Sequence, residues 1–256
     1  MRSLKVVKVG GNVVDNEDVL IPFLQAYAQL EGPKILVHGG GKIATKISAA
    51  LGIETQMIEG RRVTNQETIK VVTMVYAGLI NKKIVAKLQS NGVNAIGLSG
   101  ADANVIKSHK RVVKSVDYGF VGDVDEVNAL FLTSLIEDEV YPVMAPITHN
   151  KEGQLLNTNA DTIASTIAVA MAPFYKTELM YCFELPGVLK DINNADSLIT
   201  KLNPQEYETL KTTGIIADGM IPKLDNCFDA IASGVDTVRI CHADNLNNLV
   251  GTNLTK

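Results

Sequence analysis

The chain has 256 residues, of which 46% are hydrophobic and 20% are charged, enough for one large or two small cores, and this composition excludes a disordered or fibrous protein. Twenty-four Lys and Arg residues against 28 Asp and Glu residues give a net charge of -4, so no general basic surface indicates nucleic acid or anionic membrane as a partner. The N-terminal segment has no apolar stretch of signal-peptide length, and no later window approaches 18 consecutive apolar residues, so we expect no membrane-spanning segment. Cys182, Cys227 and Cys241 lie far apart without CxxC spacing, which fits neither a disulfide framework nor a zinc site and favours a reducing cytoplasm.

Short apolar runs alternate with longer segments of helical period, which predicts an α/β fold. The predicted strands lie at residues 4–9, 34–37, 93–98, 140–146, 179–183 and 237–241. The predicted helices lie at residues 19–30, 43–51, 66–89, 128–137, 158–171, 204–212 and 220–233. Three short β-like pieces at 105–108, 112–116 and 120–127 predict a small inserted β-hairpin. A soft boundary near residues 173–176 divides one continuous fold into lobes 1–174 and 175–256.

Two glycines, Gly10 and Gly11, follow the first predicted strand, and Lys8 lies just before them. Backbone amides beside glycine can approach an anion closely, and the lysine adds a point charge. This segment therefore predicts a phosphate loop. A Gly-Gly turn next to a solvated lysine is the alternative.

Three further glycines, Gly39, Gly40 and Gly41, separate the second predicted strand from a predicted helix. Unhindered amides at the start of a helix form a ready anion site, so this segment is the stronger phosphate signal. The preceding His38 has no carboxylate or serine placed beside it by the sequence, which favours a histidine that orients the loop over a catalytic one.

A dinucleotide site is the competing interpretation of the same glycines. No G-x-x-x-x-G-K-[ST] pattern occurs, which excludes a P-loop. Residues 39–44 do satisfy G-x-G-x-x-A, and Glu59 follows about 20 residues later, as such a site requires. That interpretation leaves the glycines at 10–11 without a purpose and places the fingerprint after the second strand instead of the first.

Two adjacent arginines, Arg61 and Arg62, precede the long predicted helix. Guanidinium groups bind carboxylates through two parallel hydrogen bonds, so a substrate that carries a carboxylate is a reasonable expectation. A pair of solvated charges is the alternative.

Polar residues also cluster where two predicted helices begin. Asn159 can cap the helix at 158–171, with Asp161 in its first turn, but capping does not account for Asn157 as well. Lys223 lies in the first turns of the helix at 220–233, after the glycine at 219.

Taken together and in order, these segments resemble the amino-acid kinase family. The resemblance is carried by KVGG at 8–11, HGGG at 38–41, GRRVT at 60–64, GLSGAD at 97–102, GFVGDV at 119–124, YPVMAPI at 141–147, NTNAD at 157–161, PGVL at 186–189 and DGMIPK at 218–223. It implies an open three-layer α/β/α sandwich with a mostly parallel sheet, with the acylated amino acid bound in lobe 1–174 and ATP in lobe 175–256. It also implies a homodimer that transfers a phosphoryl group from ATP to the γ-carboxylate of an N-acyl-L-glutamate, acetyl by default, in arginine biosynthesis.

The resemblance implies roles for individual residues. Because two anions must meet in this reaction, the barrier is largely electrostatic, and Lys8 and Lys223 would stabilise the transition state while Asp161 holds them in place. Magnesium would bind through the nucleotide and water, so no residue is predicted as a metal ligand. The implied phosphate- and ATP-binding residues are Lys8, Gly10, Gly11, Gly39, Gly40, Glu184 and Lys223. The implied substrate-binding residues are Gly40, Gly41, Arg61, Arg62, Asn157 and Asn159.

The chain departs from the family at several positions. Phe183 stands where the family has Ser or Thr, Glu184 where it has Asp, and Ala101 where it often has Lys. Arg61 replaces an apolar residue, and a second arginine would pair the extra carboxylate of N-succinylglutamate, which is the alternative acceptor. Another enzyme of the family and a catalytically silent sensor are the remaining alternatives, the latter disfavoured by the retained lysines and aspartate. No helix precedes Leu4, so we expect a dimer that arginine does not inhibit.

Overall fold

The computed structural model describes residues 1–58, 60–191, 193–216, 220–248 and 250–256. The strands are β1 Ser3–Val9, β2 Lys34–His38, β3 Met57–Ile58, β4 Arg61–Arg62, β5 Ala95–Leu98, β6 Ile106–Lys110, β7 Gly122–Val127, β8 Tyr141–Met144, β9 Ile147–His149, β10 Leu155–Asn157, β11 Lys176–Phe183, β12 Lys201–Leu202, β13 Thr237–His242 and β14 Thr252–Leu254. The α-helices are α1 Gly11–Val14, α2 Glu17–Gln29, α3 Gly41–Ala50, α4 Gln66–Thr73, α5 Asn81–Ser90, α6 Ala129–Glu137, α7 Ala160–Met171, α8 Pro204–Thr212 and α9 Ile221–Ala232.

An eight-stranded sheet forms the centre of the fold, in the order β12-β14-β13-β11-β1-β2-β8-β5. Neighbouring strands are parallel except β13 and β14, which are antiparallel. The sheet has a hydrophobic core on each face, and alternate residues of β1 supply both: Leu4 and Val6 face one core, Val7 and Val9 the other. Helices cover both faces because a parallel sheet must bury both. The predicted three-layer α/β/α sandwich is confirmed.

The predicted hairpin is present, with one correction. Strands β6 and β7 pair antiparallel and join β9 and β10 in a separate four-stranded sheet. The strand predicted at 112–116 is wrong, because no strand forms there and the apolar side chains of Val112 and Val113 are 67% and 54% exposed. β-Branched residues favour a strand only where a neighbouring strand and a core can accept them, and this loop has neither.

The long helix predicted at 66–89 is confirmed, but its middle differs from a regular α-helix. Residues Met74–Ile80 form a π-helical segment between α4 and α5. The buried residues Val75 and Ile80 are five positions apart, which matches the wider turn of a π-helix. This segment places Tyr76 and Ile80 beside the glycine loop at 39–41.

Both predicted lobes share the central sheet. The proposed boundary at 173–176 falls between α7 and β11, and β11 pairs directly with β1 along its length. The part of the chain that the structure describes contains no helix long and apolar enough to cross a membrane.

Candidate active site

The predicted phosphate loops lie together at one edge of the central sheet. Strand β1 is flanked by β2 and β11, and Val9 is in register with His38 on one side and Cys182 on the other. Because these strands are parallel, the loops that follow them leave from the same edge. Ligands of open α/β sheets bind at this edge.

The two glycine loops pack backbone against backbone. The amide of Gly39 donates to the carbonyl of Val9 at 3.2 Å, and a Cβ atom added to Gly39 would lie 3.2 Å from the nitrogen of Gly11. Gly40 has a φ of +150°, and an added Cβ would lie 2.2 Å from the Ile80 Cδ1 atom. Glycine is therefore favoured at this point by its conformation, and any side chain would also have to displace the Ile80 methyl group.

Helix α3 begins directly at this loop, at Gly41, and α1 begins at Gly11. The first amides of a helix have no partner within it, so both helix starts direct free N–H groups toward the same space. Their packing brings together the two segments that we predicted separately from the sequence.

His38 holds the glycine loop at 39–41 in place through hydrogen bonds. Its Nε2 atom lies 3.2 Å from the amide nitrogen of Asn81, which can only donate, so Nδ1 carries the proton and donates to the carbonyl of Gly39 at 2.8 Å. Burial lowers the pKa of His38 to about 4. The geometry is that of a neutral histidine that orients the loop.

Lys8, on β1, forms an ion pair with Asp161 on α7. The Nζ and Oδ1 atoms lie 2.8 Å apart, and their side chains are 9% and 22% exposed. Asn159 caps α7 as predicted, because its side chain accepts from the amides of Asp161 and Thr162. The cap fixes the first turn of the helix and directs Asp161 toward the sheet.

Lys223 approaches the same place from the first turn of α9. Its Nζ atom lies 4.2 Å from the centroid of the Phe183 ring, and Lys8 Nζ lies 4.9 Å from the same centroid. No ion pair forms between the described side chains of Asp161 and Lys223. The residues Asp218 and Gly219, which precede α9 in the predicted motif, lie outside the described residues.

A cavity of about 420 Å³, which we call the lysine cavity, contains both lysines. It is lined by Lys8, Gly10, Gly11, Asn12, Asp15, Gly41, Lys42, Thr45, Met57, Arg62, Asp161, Phe183, Glu184 and Lys223. Glu184, predicted as an ATP-binding residue, lines the same cavity as the two lysines.

A second cavity, of about 190 Å³, adjoins the lysine cavity through Met57, Gly41 and Arg62, and we call it the arginine cavity. Its lining includes Gly39, Gly40, Gly41, Arg61, Arg62, Tyr76, Arg111, Asn157 and Asn159. All predicted substrate-binding residues are therefore brought to one place.

The Arg62 guanidinium is held rigidly at the junction of the two cavities. It donates to the Gly41 carbonyl at 2.8 Å, to the Thr45 hydroxyl at 2.9 Å and to the Thr55 hydroxyl at 3.1 Å. Asn157 is fixed in turn, since its amide donates to the Thr64 hydroxyl at 3.0 Å. Both side chains are pre-oriented by the protein.

Two residues of the arginine cavity were missed by the sequence analysis, Arg111 and Tyr76. Arg111 pairs with Asp123 through Nε and Nη2, and this hydrogen-bonded pair lowers the pKa of Asp123. Its Nη1 atom is buried without a hydrogen-bond partner among the described residues. No sequence signal separates this arginine from a solvated surface charge. For Tyr76 a signal exists, because the five-residue spacing of Val75 and Ile80 marks the π-helical turn that carries it.

A parallel α/β/α sheet with two glycine loops and two convergent lysines at its carboxyl edge defines an α/β phosphate-binding protein. The family model described as the amino acid kinase family matches residues 3–242, and the chain belongs to that family. Glu59, on which the dinucleotide alternative depended, lies outside the described residues.

The chain is similar over its full length to curated members of this family. It is 57% identical to an acetylglutamate kinase from Cytophaga hutchinsonii, covering 100% of this chain and 97% of the relative. It is 55% identical to an acetylglutamate kinase from Phocaeicola vulgatus, covering 99% of each chain. Its fold matches that of a carbamate kinase from Giardia lamblia bound to AMP-PNP, with a TM-score of 0.67 at 17% identity over 100% of this chain and 99% of that one.

Proposed function

We propose that this chain is an enzyme that transfers the γ-phosphoryl group of ATP to the γ-carboxylate of N-acetyl-L-glutamate, a step of arginine biosynthesis. The observation that carries the proposal is the continuity of the two cavities: a cation-rich cavity with glycine loops opens onto a cavity whose arginine and asparagine side chains are already oriented. The relatives that are more than half identical over the whole chain carry the name of this activity.

The chemistry requires positive charge between two anions. A carboxylate must approach a phosphoryl group that already carries negative oxygens, so catalysis depends on position and electrostatics. Lys8 and Lys223 would stabilise the charge that develops on the transferred group from its two sides. Asp161 would orient Lys8 through their ion pair.

The acceptor would bind in the arginine cavity. Arg62 presents a guanidinium fixed by three oxygen acceptors, which suits the α-carboxylate of the substrate. Asn157 and Asn159 would contact the acylamino group, Gly40 lines the same cavity, and Gly41 lies at the junction with the lysine cavity. In this arrangement the γ-carboxylate would point toward the two lysines.

ATP would bind with its phosphates in the lysine cavity, against the amide of Gly11 and the start of α3 at Gly41, and with Glu184 beside the nucleotide. The amides of Gly10 and Gly39 already donate to the carbonyls of Cys182 and Val9, so these glycines would serve by allowing a close approach of the phosphates. This places the acceptor in lobe 1–174 and the body of the nucleotide against lobe 175–256. The described residues contain no cluster of three His, Cys, Asp or Glu side chains that could hold a metal ion. Mg²⁺ prefers phosphate oxygens and water, so it would arrive on the nucleotide and neutralise its phosphates.

Two exposed apolar side chains support a homodimer. Met74 and Leu79, both on the π-helical segment, are 57% and 53% exposed. Contiguous exposed apolar patches favour a protein interface, so these two side chains are candidates for a homodimer contact. A cytoplasmic location is supported by the three cysteines, all of which are buried free thiols.

The proposed reaction is tested by adding N-acetyl-L-glutamate and Mg-ATP to the purified protein, measuring ADP release and trapping the acyl phosphate with hydroxylamine. Free L-glutamate and N-acetyl-L-aspartate serve as controls for the acyl group and the chain length. We expect hydroxamate from the acetylated glutamate. ATP binding without hydroxamate from any acylated amino acid would contradict the proposal and indicate a sensor.

A second acceptor, N-succinyl-L-glutamate, is favoured by one observation. Arg61 lines the arginine cavity next to Arg111, whose Nη1 atom is buried without a partner among the described residues. Arg111 already pairs with Asp123, so an additional anion would pair chiefly with Arg61. A succinyl group carries such a carboxylate, whereas an acetyl group does not. The same assay with both acylated glutamates ranks the two acceptors.

A further inference from the structure

Phe183 lies where the two lysines of the proposed site converge. It is the last residue of β11, and both Lys223 Nζ and Lys8 Nζ lie over its ring, at 4.2 Å and 4.9 Å from the centroid. An ammonium group within about 6 Å of an aromatic centroid is attracted by the electron-rich ring face. The ring is therefore close enough to act on both cations.

The ring is itself held in place. It stacks on Tyr181, with centroids 6.1 Å apart and planes 3° from parallel. The Tyr181 hydroxyl donates to the carbonyl of Asp161 at 3.2 Å, so the stack is connected to the helix turn that carries the Lys8 partner. Phe183 is thus part of a rigid unit that also includes the acidic residue of the site.

The ion pair of the site orients only one of the two lysines. Asp161 pairs with Lys8, and among the described side chains it does not pair with Lys223. The centroid of the ring lies closer to Lys223 Nζ, at 4.2 Å, than to Lys8 Nζ, at 4.9 Å. One carboxylate thus positions one lysine, and the ring contacts both.

We propose that Phe183 is a positioning residue for phosphoryl transfer, which holds the Lys223 ammonium, and to a lesser degree that of Lys8, at the reacting group through cation–π attraction. The inference rests on the proposed function, because it assumes that these lysines stabilise the transition state. Because the ring already contacts two ammonium groups and Tyr181, it is not a free platform for the adenine base.

The decisive experiment replaces Phe183 with phenylalanine analogues that carry increasing numbers of ring fluorines, which weaken the electron-rich face while nearly preserving volume. Single-turnover rates of phosphoryl transfer, KM values for both substrates and Tm are measured across the series. We expect the rate to fall steadily with fluorination, by about 5- to 30-fold at the fully fluorinated ring, with little change in Tm or in the KM for the acceptor. Phe183→Leu should show a loss of similar size, and Phe183→Trp should retain most of the rate.

Phe228 provides the matched control, because it also stacks on a tyrosine, Tyr207, with centroids 5.1 Å apart. The same fluorinated analogues at Phe228 should leave the transfer rate within about twofold. A rate that is flat across the Phe183 series, or a change confined to the KM for ATP, would overturn the positioning role. If the unsubstituted protein forms no acyl phosphate, it is the proposed function that fails.

Discussion

The Lys8 ammonium and the Asp161 carboxylate lie 2.8 Å apart, although one belongs to the first strand and the other to a helix in the middle of the chain. Helix α7 packs against β1, and its capped first turn brings the carboxylate over the end of the strand. The pair lies in the lysine cavity and is only partly exposed, so each charge depends on the other for its orientation.

Asp161→Asn should therefore damage turnover more than nucleotide binding. The amide keeps the shape of the side chain but loses the charge that orients Lys8, so we expect kcat to fall about 10-fold or more while the KM for ATP changes little. Asp225→Asn is the matched control, because Asp225 also pairs with a lysine, Lys211, outside the cavity. A rise in KM alone would make Asp161 a binding residue.

Removal of either cavity lysine should slow the reaction severely. We expect Lys8→Ala and Lys223→Ala to lower kcat by about 100-fold or more with modest effects on folding, since each removes charge needed chiefly in the transition state. Lys211→Ala is the control, because its ammonium also lies over an aromatic ring, that of Tyr207, at 5.2 Å. Near-normal kcat in a folded Lys8 or Lys223 variant would contradict the assigned roles.

Gly40→Ala should disrupt the loop of residues 39–41. The substitution meets both a φ of +150° and the Ile80 side chain, and a backbone strained in this way costs about 1–3 kcal/mol. We expect a lower Tm and, because Gly40 lines the arginine cavity, a KM for the acceptor raised about 10-fold. Gly52 is the control, because it also has a positive φ but an added Cβ would meet open space. Gly52→Ala should therefore lower the stability without changing the kinetics. Equal kinetics for both variants would exclude a special role for the loop.

His38 makes stability depend on pH. Burial lowers its pKa to about 4, below its ordinary value of 6.5, so between these values the unfolded chain binds the additional proton. The stabilisation is complete above pH 6.5 and is lost as pH falls toward 4. We expect the histidine to account for a loss of about 2 kcal/mol in unfolding free energy between pH 7.5 and 5. The His38→Gln variant should not show this share of the loss. Urea unfolding at both pH values measures it, and an unchanged pH slope in the variant would contradict the assignment.

Arg61→Leu tests the second acceptor. If Arg61 pairs a succinyl carboxylate, the substitution should lower kcat/KM for N-succinyl-L-glutamate by about 10- to 150-fold relative to N-acetyl-L-glutamate. Arg2→Leu, at an exposed ion pair with Glu137, is the control and should leave the ratio unchanged. A parent preference for the acetyl substrate that the Arg61 substitution does not alter would show that Arg61 is a surface charge.

Much of the site could be predicted because it lies in short, local segments. Glycines directly after a strand and before a helix indicate exposed backbone amides. This pattern identified the loops at 10–11 and 39–41 without knowledge of the fold. The failure at 112–116 has the same origin, since a valine-rich segment resembles a strand locally, but only a partner strand and a core would make it one.

The alternation of strands and helices, the glycine loops and the residue types that suit phosphoryl transfer can all be read from the sequence, because hydrophobic period and backbone freedom are local properties. The pairing of Asp161 with Lys8, the position of Phe183 under Lys223 and the approach of Arg111 to the arginine cavity become visible only in the folded chain. These contacts join residues far apart in the chain, and their geometry depends on the sheet order and on how each helix packs against the sheet. Charge and spacing along the chain carry no record of that packing.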